Sequence, residues 1–240
     1  MKTRNTVLIG ALLLIGGLVQ GQEESGVVEL AEVPVEYEKS ALFTSLDFGS
    51  NGSNHAANFG LHYDWHFGKK KRIVVGSGLR FQSFFGKDVV FVSAPPEFYV
   101  DPVNQDTLLA PAPSIFSVNA ILNLGYRVTP KIFLGFNIDV FGFSFGPNGS
   151  PTYVSNGVEQ VVKVNPSPIN ALLVGANDLG SLKAQFYGRY KFSDKLAVQA
   201  GFQNMFNELT TETVIQTVPG DNDRFRSASA QGFAGISYFF

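Results

Sequence analysis

From Ala57 to Phe67 every second residue is large and apolar: Phe59, Leu61, Tyr63, Trp65 and Phe67. Between them stand Gly60, His62, Asp64 and His66. A helix would scatter these two sets around its axis, whereas a strand sends them to opposite faces. A chain built on this pattern is committed to sheet with one apolar and one polar face.

The pattern recurs. Ile73 to Phe85 places Ile73, Val75, Leu79, Phe81 and Phe85 against Gly76, Gly78, Arg80 and Gln82. Ser114 to Val128 sets Phe116, Val118, Ala120, Leu122, Leu124 and Tyr126 against Ser117, Asn119, Asn123 and Arg127. Lys131 to Phe145 sets Ile132, Leu134, Phe136 and Ile138 against Gly135, Asn137 and Asp139, and its phase slips at Val140-Phe141, which predicts a bulge. Ser181 to Phe192 sets Leu182, Ala184, Phe186 and Tyr190 against Lys183, Gln185, Tyr187, Arg189 and Lys191. With Ala41 to Gly49, Leu196 to Phe206 and Arg224 to Phe240, the spacing predicts eight strands.

The connections alternate in length. Short turns fall at Gly68–Arg72, Thr129-Pro130 and Ser193-Asp194, and longer loops at about 50–56, 86–113, 146–180 and 207–223. This rhythm belongs to barrels that cross an outer membrane. The expected fold is all-β, an eight-stranded antiparallel up-and-down transmembrane β-barrel spanning residues 40–240. A soluble barrel would turn its apolar face inward. Eight strands lack room for so many inward rings but can enclose a polar network, so the apolar face is expected to meet lipid. Val89 to Val92, Val158 to Val164 and Thr210 to Val218 keep strand character within the long loops. A hairpin turning at Asn165-Pro166-Ser167-Pro168 would raise the count to ten, but its arms are short for a span.

Residues 1–21 read as a secretory signal peptide, with Lys2 and Arg4 before an apolar stretch from Val7 to Val19 and cleavage expected after Gly21. Residues 22–39 carry six Glu and one Lys, an acidic periplasmic segment. Its Val27, Val28, Leu30, Val33 and Val35 would suit strand addition to a protein partner, with the outer loops as the other expected contact surface. An even strand count then puts both termini in the periplasm. No cysteine is present, which removes disulfides, thiolate metal sites and a lipoprotein anchor. A net charge of −2 gives nucleic-acid binding no electrostatic footing.

At the C-terminus Ala234, Ile236, Tyr238 and Phe240 share one face. The signal peptide, eight alternating strands, loop rhythm and Tyr238-Phe239-Phe240 ending resemble the OmpA/OmpX-type family of small outer-membrane barrels over residues 41–240. The Gly-, Asn- and Phe-rich style resembles barrels of Bacteroidota. The resemblance implies a bacterial outer-membrane location, surrounded by membrane lipid and lipopolysaccharide. It also implies that Tyr238 and Phe240 form the signal read by the barrel-insertion machinery. Arg224 and Arg226 enter the last strand where lipopolysaccharide phosphates would lie, and Asp106-Thr107-Leu108 resembles a short O-glycosylation sequon of Bacteroidota.

The polar face supplies the candidate site. Asp47, His62, Asp64, His66, Arg80, Arg127, Asp139, Lys183, Arg189 and Lys191 are expected in the lumen, where five Arg and Lys against three Asp should form ion pairs. Asn119, Asn123, Asn137, Gln185, Gln199 and Gln203 would complete the hydrogen bonding. His62, Asp64 and His66 alternate on one strand, but a shared metal would need a cross-strand ligand as well, and a hydrogen-bonded pair is the simpler reading. No cofactor is expected. The chain carries no Gly-rich phosphate loop, no HExxH and no convincing Ser/His/acid spacing at the rim. The expected role is non-enzymatic: structural, surface-interactive or accessory to an envelope complex. The alternatives are a narrow porin-like or hydrophobic-ligand channel and, less well supported by the residues, a lipid-modifying enzyme.

Overall fold

In chain order the strands are β1 (Ser40–Ser50), β2 (Asn54–Phe67), β3 (Ile73–Gly86), β4 (Val89–Ser93), β5 (Thr107–Ala110), β6 (Ser114–Arg127), β7 (Ile132–Phe145), β8 (Thr152–Ser155), β9 (Val158–Val161), β10 (Val164–Pro166), β11 (Ile169–Ala171), β12 (Leu182–Lys191), β13 (Leu196–Thr211) and β14 (Arg224–Phe239). The computed structural model describes residues 38–95, 98, 105–173 and 177–240. The expected signal peptide and most of the acidic segment lie outside the described residues.

Eight of these strands close a ring. β1, β2, β3, β6, β7, β12, β13 and β14 each pair antiparallel with the next, and β14 returns to β1 with Phe43 opposite Phe239 and Ser50 opposite Gly232. The period-two pattern decides which side is in. Leu79, Phe186 and Phe202 stand on the outside, the last 75% exposed. Their polar neighbours along the chain turn inward and are buried. An eight-stranded ring leaves an interior just wide enough for side chains.

Short inward residues make that interior possible. Gly76 pairs with Asp64 and Gly78 with His62. A Cβ at Gly76 would lie 2.0 Å from Asp64 Oδ1 and 2.6 Å from the Tyr63 carbonyl oxygen. These glycines therefore leave no vacancy: Gly76 makes room for the facing carboxylate, and a Cβ at Gly78 would lie 2.2 Å from the Leu61 carbonyl oxygen. The bulge expected in β7 is present: Ala120 pairs with Phe141 and Ile121 with Asp139, so Val140 is the extra residue.

The β1–β2 connection is only Asn51–Ser53, shorter than the loop expected at 50–56, because the Asn51 side chain accepts the Asn54 amide at 2.9 Å and closes a tight turn. The other long loops carry sheet of their own. β14 pairs with β4, β4 with β5, β5 with β8 and β8 with β9. The β8–β9 hairpin turns at Asn156-Gly157, both at positive φ (47° and 77°), as a two-residue hairpin requires. A hairpin turning at Asn165–Pro168 does not form. Instead β10 pairs with β13 and β11 with β7, filling the wall where β12 is too short to reach. The closed ring contains eight strands.

The long-loop end is sealed by an apolar cluster. Val89, Phe91, Leu108 and Ala110 from the β4–β5 pair, with Tyr153 and Val164, pack onto Ala56, Phe84, Ile115, Met205, Leu209 and Phe225 of the wall. Phe91, Leu108 and Phe225 are 0% exposed. Burying side chains of this size stabilises by about 1.5–3 kcal/mol each, which is why the loops fold inward over the mouth.

Candidate functional site in the barrel lumen

Among the described residues six charged side chains, excluding the histidines, are buried between the cap and the short-turn end: Asp47, Asp64 and Asp139 with Arg80, Lys183 and Arg189. The count balances, three against three. The two remaining bases of the expected set, Arg127 and Lys191, are only half-buried and sit at the short-turn rim.

The balance is not achieved through direct pairing. Among the described residues the one ion pair in the lumen joins Arg80 Nη1 to Asp139 Oδ1 at 3.3 Å, and its angles do not make a hydrogen bond. The expected web of ion pairs is instead a web of amides. A carboxylate and a cation on facing strands are each wrapped by Asn or Gln, which can donate to one and accept from the other.

In the upper half Asp139 is the hub. Its Oδ2 accepts from Asn119 Nδ2 and from the Lys183 backbone N–H, both at 2.9 Å. Lys183 Nζ donates to Asn58 Oδ1, and Arg80 donates to Asn137 Oδ1. Asn170 of β11 donates to Asn119 Oδ1 at 2.7 Å and ties the wall-filling segment to this hub. Across the other wall Gln185 donates to Gln203, and Gln203 to Gln231.

The lower half runs through His62. Asn123 Nδ2 donates to Asp64 Oδ1 at 3.0 Å and to His62 Nδ1 at 3.2 Å. With Nδ1 accepting, His62 carries its proton on Nε2 and donates to Ser45 Oγ at 3.0 Å. Ser45 in turn donates to Asp47, which also accepts from Gln199 at 2.6 Å. Arg189 Nε donates to Gln199 Oε1 at 2.9 Å. A continuous chain of hydrogen bonds thus runs from Asp64 through Asn123, the neutral His62, Ser45, Asp47 and Gln199 to Arg189.

His62, Asp64 and His66 do not converge on a metal position. Both His62 nitrogens are engaged, and its ring stacks on Phe43 at 4.5 Å. His66 Nδ1 bonds the Glu38 carbonyl oxygen at 2.6 Å, and Arg127 Nη2 lies 3.3 Å from His66 Nε2, where a second cation would be repelled. Among the described residues no three His, Asp or Glu side chains are grouped to hold a metal ion.

An inward aromatic layer closes the short-turn end. Phe43, Phe133, Tyr187 and Phe239 surround Arg189, whose guanidinium carbon sits 4.3–5.7 Å from their ring centres. The sequence reading named Tyr187 and Arg189 but missed the three Phe. Strand parity marks all three: Phe43 shares its face with Ser45 and Asp47, Phe133 with Gly135 and Asn137, and Phe239 with Gly235 and Ser237.

Arg224 and Arg226 lie on the outer side of the wall, and both bond Glu208 at 2.9 Å. Arg226 also donates to the Asp178 carbonyl oxygen and stacks on Phe206. In the cap, Tyr153 donates to Asp106. Burial, and then that hydrogen bond, push the Tyr153 phenol up to about 12. His55, at the same end, hydrogen-bonds Ser50 Oγ at 3.0 Å. Tyr238 and Phe240 face outward at the short-turn end and contact each other edge to face.

No protein-family model and no curated protein matches the chain. Among solved structures it is similar to a de novo designed transmembrane β-barrel at 9% identity, covering 85% of this chain and 99% of that one with a TM-score of 0.37. It is also similar to Neisserial surface protein A (8% identity, 84% and 96% covered, TM-score 0.37). A third likeness is to Ail, the attachment invasion locus protein of Yersinia pestis (11% identity, 85% and 100% covered, TM-score 0.35). The fold itself rests on the closed ring of hydrogen-bonded strands.

Proposed function

We propose that this chain is a bacterial outer-membrane barrel of the OmpA/OmpX type with a sealed lumen, serving a structural or surface-contact role without catalysis. The observation that carries the reading is the inside-out distribution of side chains. Large apolar residues ring the exterior of a closed eight-stranded wall, while its interior is a polar network. Water would penalise such an exterior, and hydrocarbon would not. Tyr63, Trp65, Tyr126, Tyr190 and Tyr238 stand exposed toward the short-turn end, where an interfacial aromatic girdle belongs. With the short turns in the periplasm, the sheet of β4, β5, β8 and β9 becomes the outer surface.

The capped mouth and the amide-filled lumen favour a plug over either channel reading. Tyr238 and Phe240 are assigned to delivery by the insertion machinery. Partners are sought at the outer sheet and the acidic segment.

Membrane fractionation tests the location: the chain should sediment with outer-membrane markers and resist carbonate extraction. Recovery in the soluble periplasmic fraction overturns the reading. Cross-linking on intact cells followed by co-purification tests the contact role, which fails if no envelope component is enriched over an unrelated small barrel.

A further inference from the structure

The short-turn end holds a cavity of about 280 Å³ that is open at the rim and runs inward to Arg189. Four bases line it: Arg127 at the end of β6, Lys131 in the following turn, and Arg189 and Lys191 of β12. Three acids also line it. Glu38 and Asp194 are exposed at the rim, and Asp64 has one carboxylate oxygen occupied by Asn123.

Arg189 makes this more than a charged rim. Its side chain is 6% exposed, yet it takes part in none of the ion pairs among the described residues. Its Nε is used by Gln199 and its Nη2 by the Tyr187 hydroxyl at 3.2 Å. Its Nη1 makes no hydrogen bond among the described residues. Phe43 and Phe133 stack near the guanidinium at 4.3 and 5.3 Å and hold its charge through their ring faces without consuming a donor. The result is a fixed guanidinium with spare donor capacity at the floor of a cavity whose other bases can turn toward it. A planar fork held in place is suited to oxyanions.

We propose that this cavity binds a small carboxylate or phosphate anion, with Arg189 as its floor and Lys131 and Lys191 at its mouth. The volume corresponds to about nine waters at ~30 Å³ each, so the ligand is a small solute rather than a polymer segment. Phe133 and Phe239 also line the space and would face the carbon part of an organic anion. That the cavity opens to the periplasm rests on the outer-membrane reading; the binding itself does not. A failed fractionation therefore leaves this proposal standing, and a failed titration leaves the membrane reading standing.

The test is a titration of the full chain in detergent micelles, followed by NMR of the arginine Nε–Hε signals and backbone amides. Inorganic phosphate and succinate are the probes, with sodium chloride at matched ionic strength as control. Saturable shifts are expected at Arg189 Nε–Hε and in the Thr129–Lys131 turn, for one or both oxyanions and not for chloride. The double variant Lys131→Gln, Lys191→Gln, altered only at the rim, should bind roughly tenfold more weakly or worse, since each charge-assisted contact outweighs a neutral one. Arg189→Lys keeps the charge but loses the fork and should also weaken binding. The proposal is overturned if the shifts match those of chloride, if they spread equally over the exposed Lys69–Arg72 turn, or if the rim double variant binds as tightly as the parent.

Discussion

Replacing Asp139 with Asn should destabilise the barrel by about 3–5 kcal/mol, the usual cost of removing one partner from a buried ion pair. Asp139 is 0% exposed and receives Asn119 Nδ2 and the Lys183 N–H, with the Arg80 guanidinium 3.3 Å away. At an effective dielectric near 20, unit charges at that distance attract by about 5 kcal/mol, and desolvation removes part of the gain. The amide in D139N keeps one acceptor but offers N–H where the site presents N–H. It also leaves Arg80 and Lys183 without their nearest acid. Arg80→Met should cost a similar amount by stranding the carboxylate. The double variant R80M/D139N should then cost less than the two singles combined, by about 1–3 kcal/mol, because the penalty in each single is an unmatched charge. Urea unfolding in lipid vesicles, read by tryptophan fluorescence from Trp65, gives all three values. A D139N loss below about 1 kcal/mol, or strict additivity, would refute the hub.

The cap offers a second check: Phe91→Ala should cost about 3–5 kcal/mol by the same unfolding assay, since it empties a fully buried position in the seal. Gly76→Ala should lower refolding yield sharply, because the added Cβ meets both Asp64 Oδ1 and a main-chain oxygen; a yield equal to the parent's would show that β2 and β3 can part there. Tyr153 sets a pH dependence. Its phenol titrates near 12 in the fold against 10.0 when unfolded, so its contribution is complete below pH 10 and is lost as pH rises toward 12. Tyr153→Phe should flatten that part of the stability–pH curve, and an unchanged slope would locate the alkaline sensitivity elsewhere.

The wall was legible in the sequence because alternation carries two facts at once, strand and face. Even the bulge at Val140 showed as a slip of phase. What alternation could not reveal was how the loops fold, since their strands are three to five residues long and pair either with one another or with wall strands that are not their neighbours in the chain. One signal there was available: Asn156-Gly157 is the strongest short hairpin marker in the 146–180 stretch. The proline-rich Asn165–Pro168 drew the turn instead, yet Pro166 lies in β10 against β13. The lumen residues were identified by parity, but their partners were not. Complementary charges on facing strands suggested ion pairs, whereas the distance across the ring is bridged by Asn and Gln. That is why Asn123 and Gln199, read as accessories, connect Asp64, His62, Asp47 and Arg189. Glu208 went unnoticed because an acid on the outward parity of β13 has no place against lipid, and it is tolerated by its two arginines under the Asp178 segment.

Planar-bilayer recording of the purified full chain bears on the sealed lumen most directly. With the apolar cap above and the amide network and aromatic layer below, no steady conductance above the lipid background is predicted at either polarity. Reproducible, long-lived openings of a single size would contradict the account.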